Sequence, residues 1–377
     1  MPLASLAGRA GAMRPSRFSP VSFVRRTPPP TGLPTWNSGA VNEIISITGT
    51  THSGSAADPG STNQARLAYS GAGLTDAGVF VLAACGGHND YDGNEVTSID
   101  LSANSPAWVL NKAKSTSRQD QAYYADGTPT SRHTNWSTQW SSTHNRMMLH
   151  YTRSAYGGVI SFPDTNGFNL SNNTWDADNT WADAPGLVGC RNPSNDQVFG
   201  VASDRHSMNR WTPGTDSWET GIASNGGATY GFPWAFDTNR GKLFCCAFGN
   251  GEGDTGLQAW RLDSDGANGA TAITFNSSAG YTQFLADGDG YAGMVYSSHT
   301  DRFYWYACVS GRTTRIYEIT PNAGTTWDIA IVSVTGATPA ARAGSDTLCN
   351  RFQYLQAQKT LVWMATCDNP LYAMRVA

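Results

Sequence analysis

Residues 90–95 hold the densest run of potential metal ligands in the sequence. They read Asp-Tyr-Asp-Gly-Asn-Glu, so side-chain oxygens stand at alternate positions, as they do in calcium-binding loops. The full twelve-residue calcium-loop pattern is missing, and Asp-Gly and Asn are also common turn formers. We therefore predict a turn between two strands here, with no bound metal or other cofactor.

Charged and imidazole side chains recur in the polar segments that follow short apolar runs. Carboxylate, guanidinium and imidazole groups can exchange hydrogen bonds with the hydroxyl and amide groups of a ligand. The candidate binding residues of this kind are His88, Asp90, Asp92, Arg132, His133, Asp204 and His206. Tyr91, Trp136 and Trp140 add aromatic rings, which suit sugar faces and the hot spots of protein interfaces. Filling the gaps between sheets is the alternative role of these rings.

Six similar turns define the elements that must position these side chains. In each copy a short polar turn leads directly into an apolar strand. The copies are Thr-Asp-Ala-Gly before VFVLAA, Thr-His-Asn-Arg before MMLHY, Ser-Asn-Asp-Gln before VFGVA, Thr-Asn-Arg-Gly-Lys before LFCCAF, His-Thr-Asp-Arg before FYWYAC and Ala-Gln-Lys-Thr before LVWMATC. Their spacing of roughly 45 to 65 residues matches a four-stranded propeller blade. We predict an all-β, six-bladed β-propeller.

The strand count also predicts how the ring closes. Third strands are predicted at EVTSIDL, GVISF, SMNRWTP, LQAWRLD, TRIYEIT and LYAMRVA, and fourth strands near Trp108, Trp175 or Trp181, Trp218, Ile273 and Trp327. The sixth blade runs out of chain at Ala377, one strand short, while AVNEIISITGT at residues 40–50 is one strand too many. A ring of sheets must close without an exposed edge, so we predict that this N-terminal strand completes the last blade.

The blade pattern also predicts where the candidate residues meet. In a four-stranded blade the loops after strands two and four emerge on the same face of the ring. Nearly all of the polar candidates fall in those loops, whereas the opposite face has mostly short turns. We therefore expect the loop-rich face to be the binding face.

The first blade carries a more specific signature. Gly86-Gly87 ends its second strand, Asp100 marks its third strand and Trp108 opens its fourth. This pattern resembles a kelch repeat, and it is only partly kept in the other blades. The resemblance implies a kelch-like propeller of the galactose-oxidase type. Such propellers include enzymes, lectin-like binders and scaffold proteins, so the fold does not fix the function.

Enzymatic activity is not assigned by any motif. No Ser/His/Asp order, phosphate-binding glycine loop or paired-carboxylate motif stands out. A sialidase-like hydrolase would need clustered arginines and a tyrosine nucleophile, and a galactose-oxidase-like copper site would need two tyrosines, two histidines and a nearby cysteine. These residue types are present, but no spacing identifies a catalytic set. We predict a non-enzymatic protein, with a glycoside hydrolase or copper oxidase as an alternative.

Residues 1–35 differ in composition from the propeller at residues 36–377. They hold no acidic residue, a Pro-Pro-Pro run at residues 28–30 and five arginines, which are Arg9, Arg14, Arg17, Arg25 and Arg26. Such a segment cannot bury a core, so we expect an extended basic arm that anchors the protein to an acidic partner surface. The whole chain has a net charge of −4, which argues against nucleic-acid binding.

The seven cysteines are odd in number and show no metal-type spacing. Most stand inside apolar runs, so we predict buried, unpaired thiols on strands. The N-terminus lacks the apolar stretch of a signal peptide, and no run is long enough for a membrane span. These features predict a protein made in a reducing cytoplasm that does not bind a membrane.

Together these observations favour a structural or interaction protein, most plausibly a bacteriophage virion component such as a capsid decoration or tail appendage. Its arm would bind other virion proteins or copies of itself, and its loop-rich face would bind a protein or a host-surface glycan. A glycan-binding bacterial propeller, in the cytoplasm or outside the cell, is the second hypothesis.

Overall fold

The computed structural model describes residues 32–58, 65–87, 90–115, 121–158, 161–202, 207–224, 233–248, 256–266, 269–342 and 347–377. In chain order the strands are β1 (Glu43–Ser46), β2 (Gly73–Leu74), β3 (Val79–Ala83), β4 (Val96–Asp100), β5 (Trp108–Lys112), β6 (Thr138–Ser141), β7 (Arg146–Thr152), β8 (Phe162–Asn169), β9 (Thr174–Trp175), β10 (Gly186–Arg191), β11 (Val198–Ala202), β12 (Ser207–Thr212), β13 (Ser217–Ser224), β14 (Trp234–Asp237), β15 (Lys242–Phe248), β16 (Leu257–Asp263), β17 (Thr271–Ala272), β18 (Thr274–Phe275), β19 (Gly293–Ser297), β20 (Arg302–Tyr306), β21 (Tyr317–Thr320), β22 (Thr326–Ile331), β23 (Thr335–Gly336), β24 (Phe352–Leu355), β25 (Thr360–Trp363) and β26 (Tyr372–Arg375).

Helices are few in the same ranges. One α-helix, α1 (Ala279–Ala286), lies between β18 and β19. The short 3-10 helices are Thr35–Asn37, Ala65–Leu67, Pro213–Thr215, Cys349–Arg351 and Gln356–Gln358. None of the described helices is both long and apolar enough to cross a membrane.

The strands form six sheets, and within each blade the strands that follow one another in the chain pair antiparallel; β18 and β23 add parallel edge strands to two of the sheets. Blade one is β2–β5, blade two β6–β9, blade three β10–β13 and blade four β14–β17. Blade five is β19–β22 with β18 added at its outer edge, and blade six is β24–β26 with β1 and β23. The predicted six-bladed β-propeller is therefore confirmed.

The predicted ring closure is also confirmed. Strand β1 pairs antiparallel with β26, so that Ile44 stands opposite Met374 and Ser46 opposite Tyr372. On its other side β1 pairs in parallel with β23, which comes from the connection between blades five and six. The closing strand is thus hydrogen-bonded on both edges, which leaves it no open edge.

The six polar turns that revealed the repeat share one backbone feature. In each turn between strands one and two, a residue one or two positions before the start of strand two has a positive φ. These residues are Gly78, Asn145, Asp196, Gly241, Asp301 and Lys359. Gly, Asn and Asp tolerate this left-handed conformation best, which explains why turns of similar composition recur through the sequence.

The core lies between neighbouring blades, and aromatic rings fill much of it. Trp108 packs with Phe80 between blades one and six, and its indole nitrogen donates to the Thr50 carbonyl at 2.7 Å. Trp327 packs with Phe244 and Phe303 between blades four and five. All seven cysteines are buried and unpaired, as predicted from their apolar surroundings.

Two of the predicted strands are displaced. The third strand of blade two is Phe162–Asn169 rather than GVISF, because Met147 of β7 pairs with Phe168 and the strand must extend that far. In blade four the predicted strand start at Ile273 is the break between β17, which completes this blade, and β18, which joins blade five.

Candidate functional site

The sheet topology gives the ring two different faces. Loops from strand two to three, and from one blade to the next, emerge on one face, which we call the mouth face. Turns from strand one to two, and from three to four, lie on the other, which we call the junction face. The candidate residues Asp90, Asp92, Arg132, His133 and Trp136 belong to mouth-face loops, as expected from the sequence.

Two predicted residues from different loops meet on the mouth face. His133 Nε2 lies 3.4 Å from Asp90 Oδ2, and both side chains are partly exposed. The imidazole ring also packs against Tyr69, with 4.6 Å between ring centroids. The backbone amide of His133 donates to the Arg153 carbonyl at 3.0 Å, which ties blade two to this group. A carboxylate, an imidazole and a phenol are therefore presented together.

A second polar group borders the first. The rings of Tyr69 and Tyr291 meet edge to face at 5.7 Å. Burial raises the pKa of Tyr291, and nearby Tyr69 raises it further, so its hydroxyl is protonated at neutral pH. Asp289 accepts from the Tyr291 amide at 2.8 Å and from Arg342 at 2.6 Å. These side chains come from the connections leading into blades one, five and six.

Several non-glycine residues in the mouth-face loops, and one at an irregular position near the end of β7, have the left-handed backbone conformation. Tyr69, Asn135, Tyr151, Ser154 and Cys349 all have φ between 37° and 60°. Hydrogen bonds hold two of these segments against their neighbours, since Asn135 N donates to the Tyr69 carbonyl at 2.9 Å and Cys349 N to the Tyr291 carbonyl at 3.2 Å. Strain of this kind concentrates where a site is pre-organised.

A narrow cavity opens beside these residues, with a volume of about 400 Å³ that includes its open mouth. For the lining residues we use two names: the polar wall for the mostly polar residues between 133 and 153, and the apolar wall, or second wall, for the mostly apolar residues between 187 and 234. The polar wall consists of His133, Thr134, Asn135, Trp136, Ser137, Tyr151 and Arg153. The second wall consists of Leu187, Val188, Gly189, Val201 and Trp234. A ligand with hydroxyls along one edge and an apolar face would match both walls.

Gly189 is required for the apolar wall. A Cβ atom at this position would lie 2.7 Å from the Trp234 ring, so only glycine lets the ring approach the strand. The register of β10 against β11 shifts at the same point, between Val188 and Cys190. The irregular strand thus seats an aromatic ring of blade four against blade three.

Trp136 is the most informative residue of the cavity. Its side chain is 6% exposed, it lines the polar wall, and its indole nitrogen has no acceptor among the residues that the structure describes. Buried donors are normally paired, so an indole N–H on a cavity wall marks a place for a ligand oxygen or water. The indole nitrogens of Trp140, Trp175, Trp218, Trp305 and Trp363 also lack an acceptor among the described residues, but these five residues do not line the cavity.

The glycine pair of the kelch-like signature, Gly86 and Gly87, packs closely against the loops that carry the candidate residues. Gly87 has φ of +72°, and a Cβ there would lie 2.4 Å from Arg132 Cα. Gly86 has φ of +102°, and a Cβ there would lie 2.6 Å from the Tyr91 Cβ. The pair therefore lets the segment that carries His133 pass directly over the end of β3.

Arg132 is not a surface binding residue. Its side chain is fully buried, where it donates to Asp164 Oδ2 at 3.2 Å and to the Thr130 carbonyl at 3.0 Å. The guanidinium is already engaged by groups of the protein, because a buried charge needs such partners. The prediction of a ligand contact at Arg132 is corrected to a role in holding the 130–133 segment.

Tyr91 and Trp140 are also buried, at 2% and 8% exposure. The Tyr91 side chain packs against Gly86 and against Gly93 of its own loop, and Trp140 belongs to the core cluster between blades one and two. Neither ring lies at the cavity wall. These two rings therefore fill the core, and the prediction that they are exposed sugar contacts is wrong. Trp140 is buried because it lies on a strand, and Tyr91 because it packs against glycines.

The 90–95 loop does not gather its oxygens around one point. Glu95 pairs with buried Arg66 at 3.0 Å, and Asp92 pairs with Lys114 at 3.7 Å. Asn94 accepts from the Ser115 amide at 2.8 Å. Each group has its own partner, which fits the predicted interstrand turn. Among the described residues, no set of three or more His, Cys, Asp or Glu side chains could hold a metal.

The remaining predicted residues lie outside the described part of the chain. They are His88, Asp204 and His206 in the loops, and Arg9, Arg14, Arg17, Arg25 and Arg26 in the arm. The roles predicted for them stay predictions.

The sequence interpretation omitted several residues of the site. Tyr69, Asn135, Tyr151 and Trp234 were not selected, nor was the wall at residues 187–189. They come from five different connections or strands and share no motif. The polar segments before the first strand of each blade were the only available signal, since strain in bulky residues cannot be read from the sequence.

The mouth face holds some of the residue types that the copper-oxidase alternative requires. Tyr69, Tyr291 and His133 stand together, but a second histidine is needed. Within the described ranges, His52 and His150 are fully buried, while His144 and His299 lie in turns of the junction face. The described mouth face therefore supplies two tyrosines and one histidine.

No protein-family model and no curated protein matches the chain. Among solved structures the chain is similar to one titled "Structure of YjhT", with 11% sequence identity and a TM-score of 0.47. The match covers 82% of this chain and 98% of that chain. The six-bladed fold rests on the sheet topology described above rather than on this likeness.

Proposed function

We propose that the chain is a non-enzymatic binding propeller that holds a carbohydrate at the cavity of its mouth face. The observation that carries this proposal is the indole N–H of Trp136, which lines the cavity and has no acceptor among the described residues. A sugar hydroxyl or carbonyl oxygen would supply that acceptor.

The surrounding groups support a sugar more than another polar ligand. A sugar ring has polar edges and less polar faces, which correspond to the two walls of the cavity. His133 and Asp90 can donate to and accept from hydroxyls, the Tyr69 ring packs against the His133 ring, and the Tyr291 ring contacts Tyr69. Because the cavity is narrow, a substituent of the sugar would enter it while the ring lies at the entrance.

A virion role concerns a different part of the chain. It depends on residues 1–31, which lie outside the described residues, and on partners of unknown identity. A carbohydrate-binding propeller is compatible with a virion component that meets a host-surface glycan, as well as with a bacterial protein.

The direct test is a glycan array, followed by calorimetry with the strongest ligand found. We expect at least one saccharide to bind, and we expect His133→Gln to weaken its binding about 10-fold, by loss of a hydrogen bond to the ligand. His299→Gln is the matched control, since His299 bonds Tyr354 at 3.0 Å on the junction face. An array with no bound saccharide, or equal affinities for both variants and the parent chain, would contradict the proposal.

A further inference from the structure

The cavity of the mouth face is amphiphilic. Its apolar wall includes Leu187, Val188 and Val201, and its polar wall includes Trp136 and Ser137. Val188 and Val201 are 4% and 2% exposed, so a ligand group that reaches them is removed from water. Because the cavity is narrow, the substituent that enters it must be short and must suit both walls at once.

Two neighbouring residues of the polar wall offer one hydrogen-bond donor and one acceptor. The Trp136 side chain is 6% exposed, and its indole N–H has no acceptor among the described residues. The Ser137 hydroxyl donates its proton to the Thr134 carbonyl at 2.7 Å, so towards a ligand its oxygen is an acceptor. The polar wall therefore suits a group that carries both a carbonyl oxygen and an N–H.

The apolar wall favours a neutral substituent over a charged one. None of the residues described as lining the cavity is acidic, so a protonated amine has no counter-charge there. An anionic group would meet Arg153 on the polar wall, but it would lose its hydration against Val188 and Val201. Removing a charge from water costs far more than removing an amide whose hydrogen bonds are made.

We propose that the cavity takes the acetamido group of an N-acetylated amino sugar. The carbonyl oxygen of this group accepts from the Trp136 indole, its N–H donates to Ser137 Oγ, and its methyl group packs against the apolar wall. The sugar ring then remains at the entrance of the cavity. This inference rests on the proposed carbohydrate function and names the class of sugar.

The test compares N-acetylhexosamines with their parent hexoses by saturation-transfer difference NMR on the full chain. The pairs are N-acetylglucosamine with glucose, N-acetylgalactosamine with galactose and N-acetylmannosamine with mannose, and glucuronic acid is the anionic comparison. We expect at least one N-acetylhexosamine to bind at least about 10-fold more tightly than its parent hexose, because a buried methyl group and a new hydrogen bond both add affinity. The acetyl methyl protons should receive the strongest saturation in that sugar.

The outcomes separate this inference from the carbohydrate proposal. Hexoses that bind as tightly as their N-acetylated forms would overturn the inference and leave the carbohydrate proposal standing. Tighter binding of glucuronic acid than of the N-acetylhexosamines would do the same. If none of these sugars binds, the inference is also overturned, and the glycan array decides the carbohydrate proposal by itself.

A matched pair of variants tests the contact with the methyl group. Val201→Thr places a hydroxyl in the apolar wall and keeps the shape of the side chain. Val198→Thr makes the same change on the same strand, β11, at a residue that is 1% exposed and does not line the cavity. We expect Val201→Thr to bind the N-acetylhexosamine about 10-fold more weakly with unchanged affinity for the hexose, because a hydroxyl would face the methyl group. Val198→Thr should bind both sugars like the parent chain, and equal N-acetylhexosamine affinities for the two variants would overturn the inference.

Discussion

The side-chain amide of Asn350 in blade six donates to the backbone carbonyl of Trp136 in blade two at 2.9 Å. Asn350 lies just before the first strand of blade six and Trp136 just before the first strand of blade two, so the bond joins two blades that are not neighbours in the ring. A second bond from the same amide reaches the Thr138 carbonyl at 3.3 Å. The segment that carries Trp136 is therefore held by a side chain from a blade that is not its neighbour.

Replacement of Asn350 by alanine tests this brace. We expect the free energy of unfolding to fall by about 1 to 2 kcal/mol, because two carbonyls lose a donor. Asn239→Ala is the control, since the Asn239 side chain is exposed and its contacts are longer, at 3.4 and 3.5 Å. The control should lose less than about 0.5 kcal/mol in urea unfolding. Equal losses would show that the Asn350 bonds add no stability.

The turn before β25 offers a stabilising substitution. Lys359 is exposed and has φ of +53°, whereas the equivalent residue in the other five turns is Gly, Asn or Asp. Lys359→Gly should raise the free energy of unfolding by about 1 kcal/mol, because glycine adopts this conformation without strain. The reverse change, Gly241→Ala, should lower it by a similar amount, since a Cβ there meets no atom within 4 Å. A loss of stability in the Lys359 variant, measured by urea unfolding, would contradict the turn assignment.

That turn pattern also explains how much of the fold was accessible from the sequence. The left-handed position selects Gly, Asn or Asp in five turns, and the apolar strand that follows selects aliphatic and aromatic residues. Both requirements are local, so six blades and the closing strand could be predicted. The third strand of blade two was misplaced, because its polar residues Asp164, Thr165 and Asn166 are buried and do not read as a strand.

The site was less accessible for a physical reason. Its residues are brought together by the ring, so Tyr69, His133 and Tyr291 are distant in sequence and share no spacing. Burial also cannot be inferred from residue type in a loop. Arg132 and Tyr91 therefore suggested ligand contacts, although the protein itself engages or covers them.

Because His150 is buried in its neutral form, we expect the protein to become less stable in acid. It is fully buried between the rings of Trp211 and Trp218, at centroid distances of 5.0 and 5.5 Å, and burial lowers its pKa to about 3. The unfolded chain, with a histidine pKa of about 6.5, binds this proton more readily. The contribution of neutral His150 to the free energy of unfolding should thus be fully present above about pH 6.5. It should be lost as the pH drops toward 3, which lowers the free energy of unfolding by up to about 4 kcal/mol.

The measurement is urea unfolding between pH 7 and pH 4 for the parent chain and His150→Phe. The variant should show a shallower loss over this window, because it cannot take up a proton in the unfolded state. Parallel curves for the two proteins would contradict the assignment of this loss to His150.

The burial of the cysteines predicts that the folded protein reacts very little with thiol reagents. Burial raises the pKa of Cys349 to about 12 and that of Cys308 to about 11, and all seven thiols are covered. Because the thiolate is the reactive form, the folded protein should show almost no reaction with a chromogenic disulfide at pH 8. The same protein in denaturant should release seven equivalents. Rapid reaction of one thiol in the folded state would contradict its burial.

The carbohydrate proposal is tested most directly at the indole of the cavity. Trp136→Phe removes the N–H and keeps an aromatic ring, while Trp140→Phe makes the same change at an indole that also lacks an acceptor but lies in the core between blades one and two. With the strongest saccharide from the array, we predict that calorimetry gives about 10-fold weaker binding for Trp136→Phe and parent-like binding for Trp140→Phe. Parent-like affinity in the Trp136 variant would contradict the account.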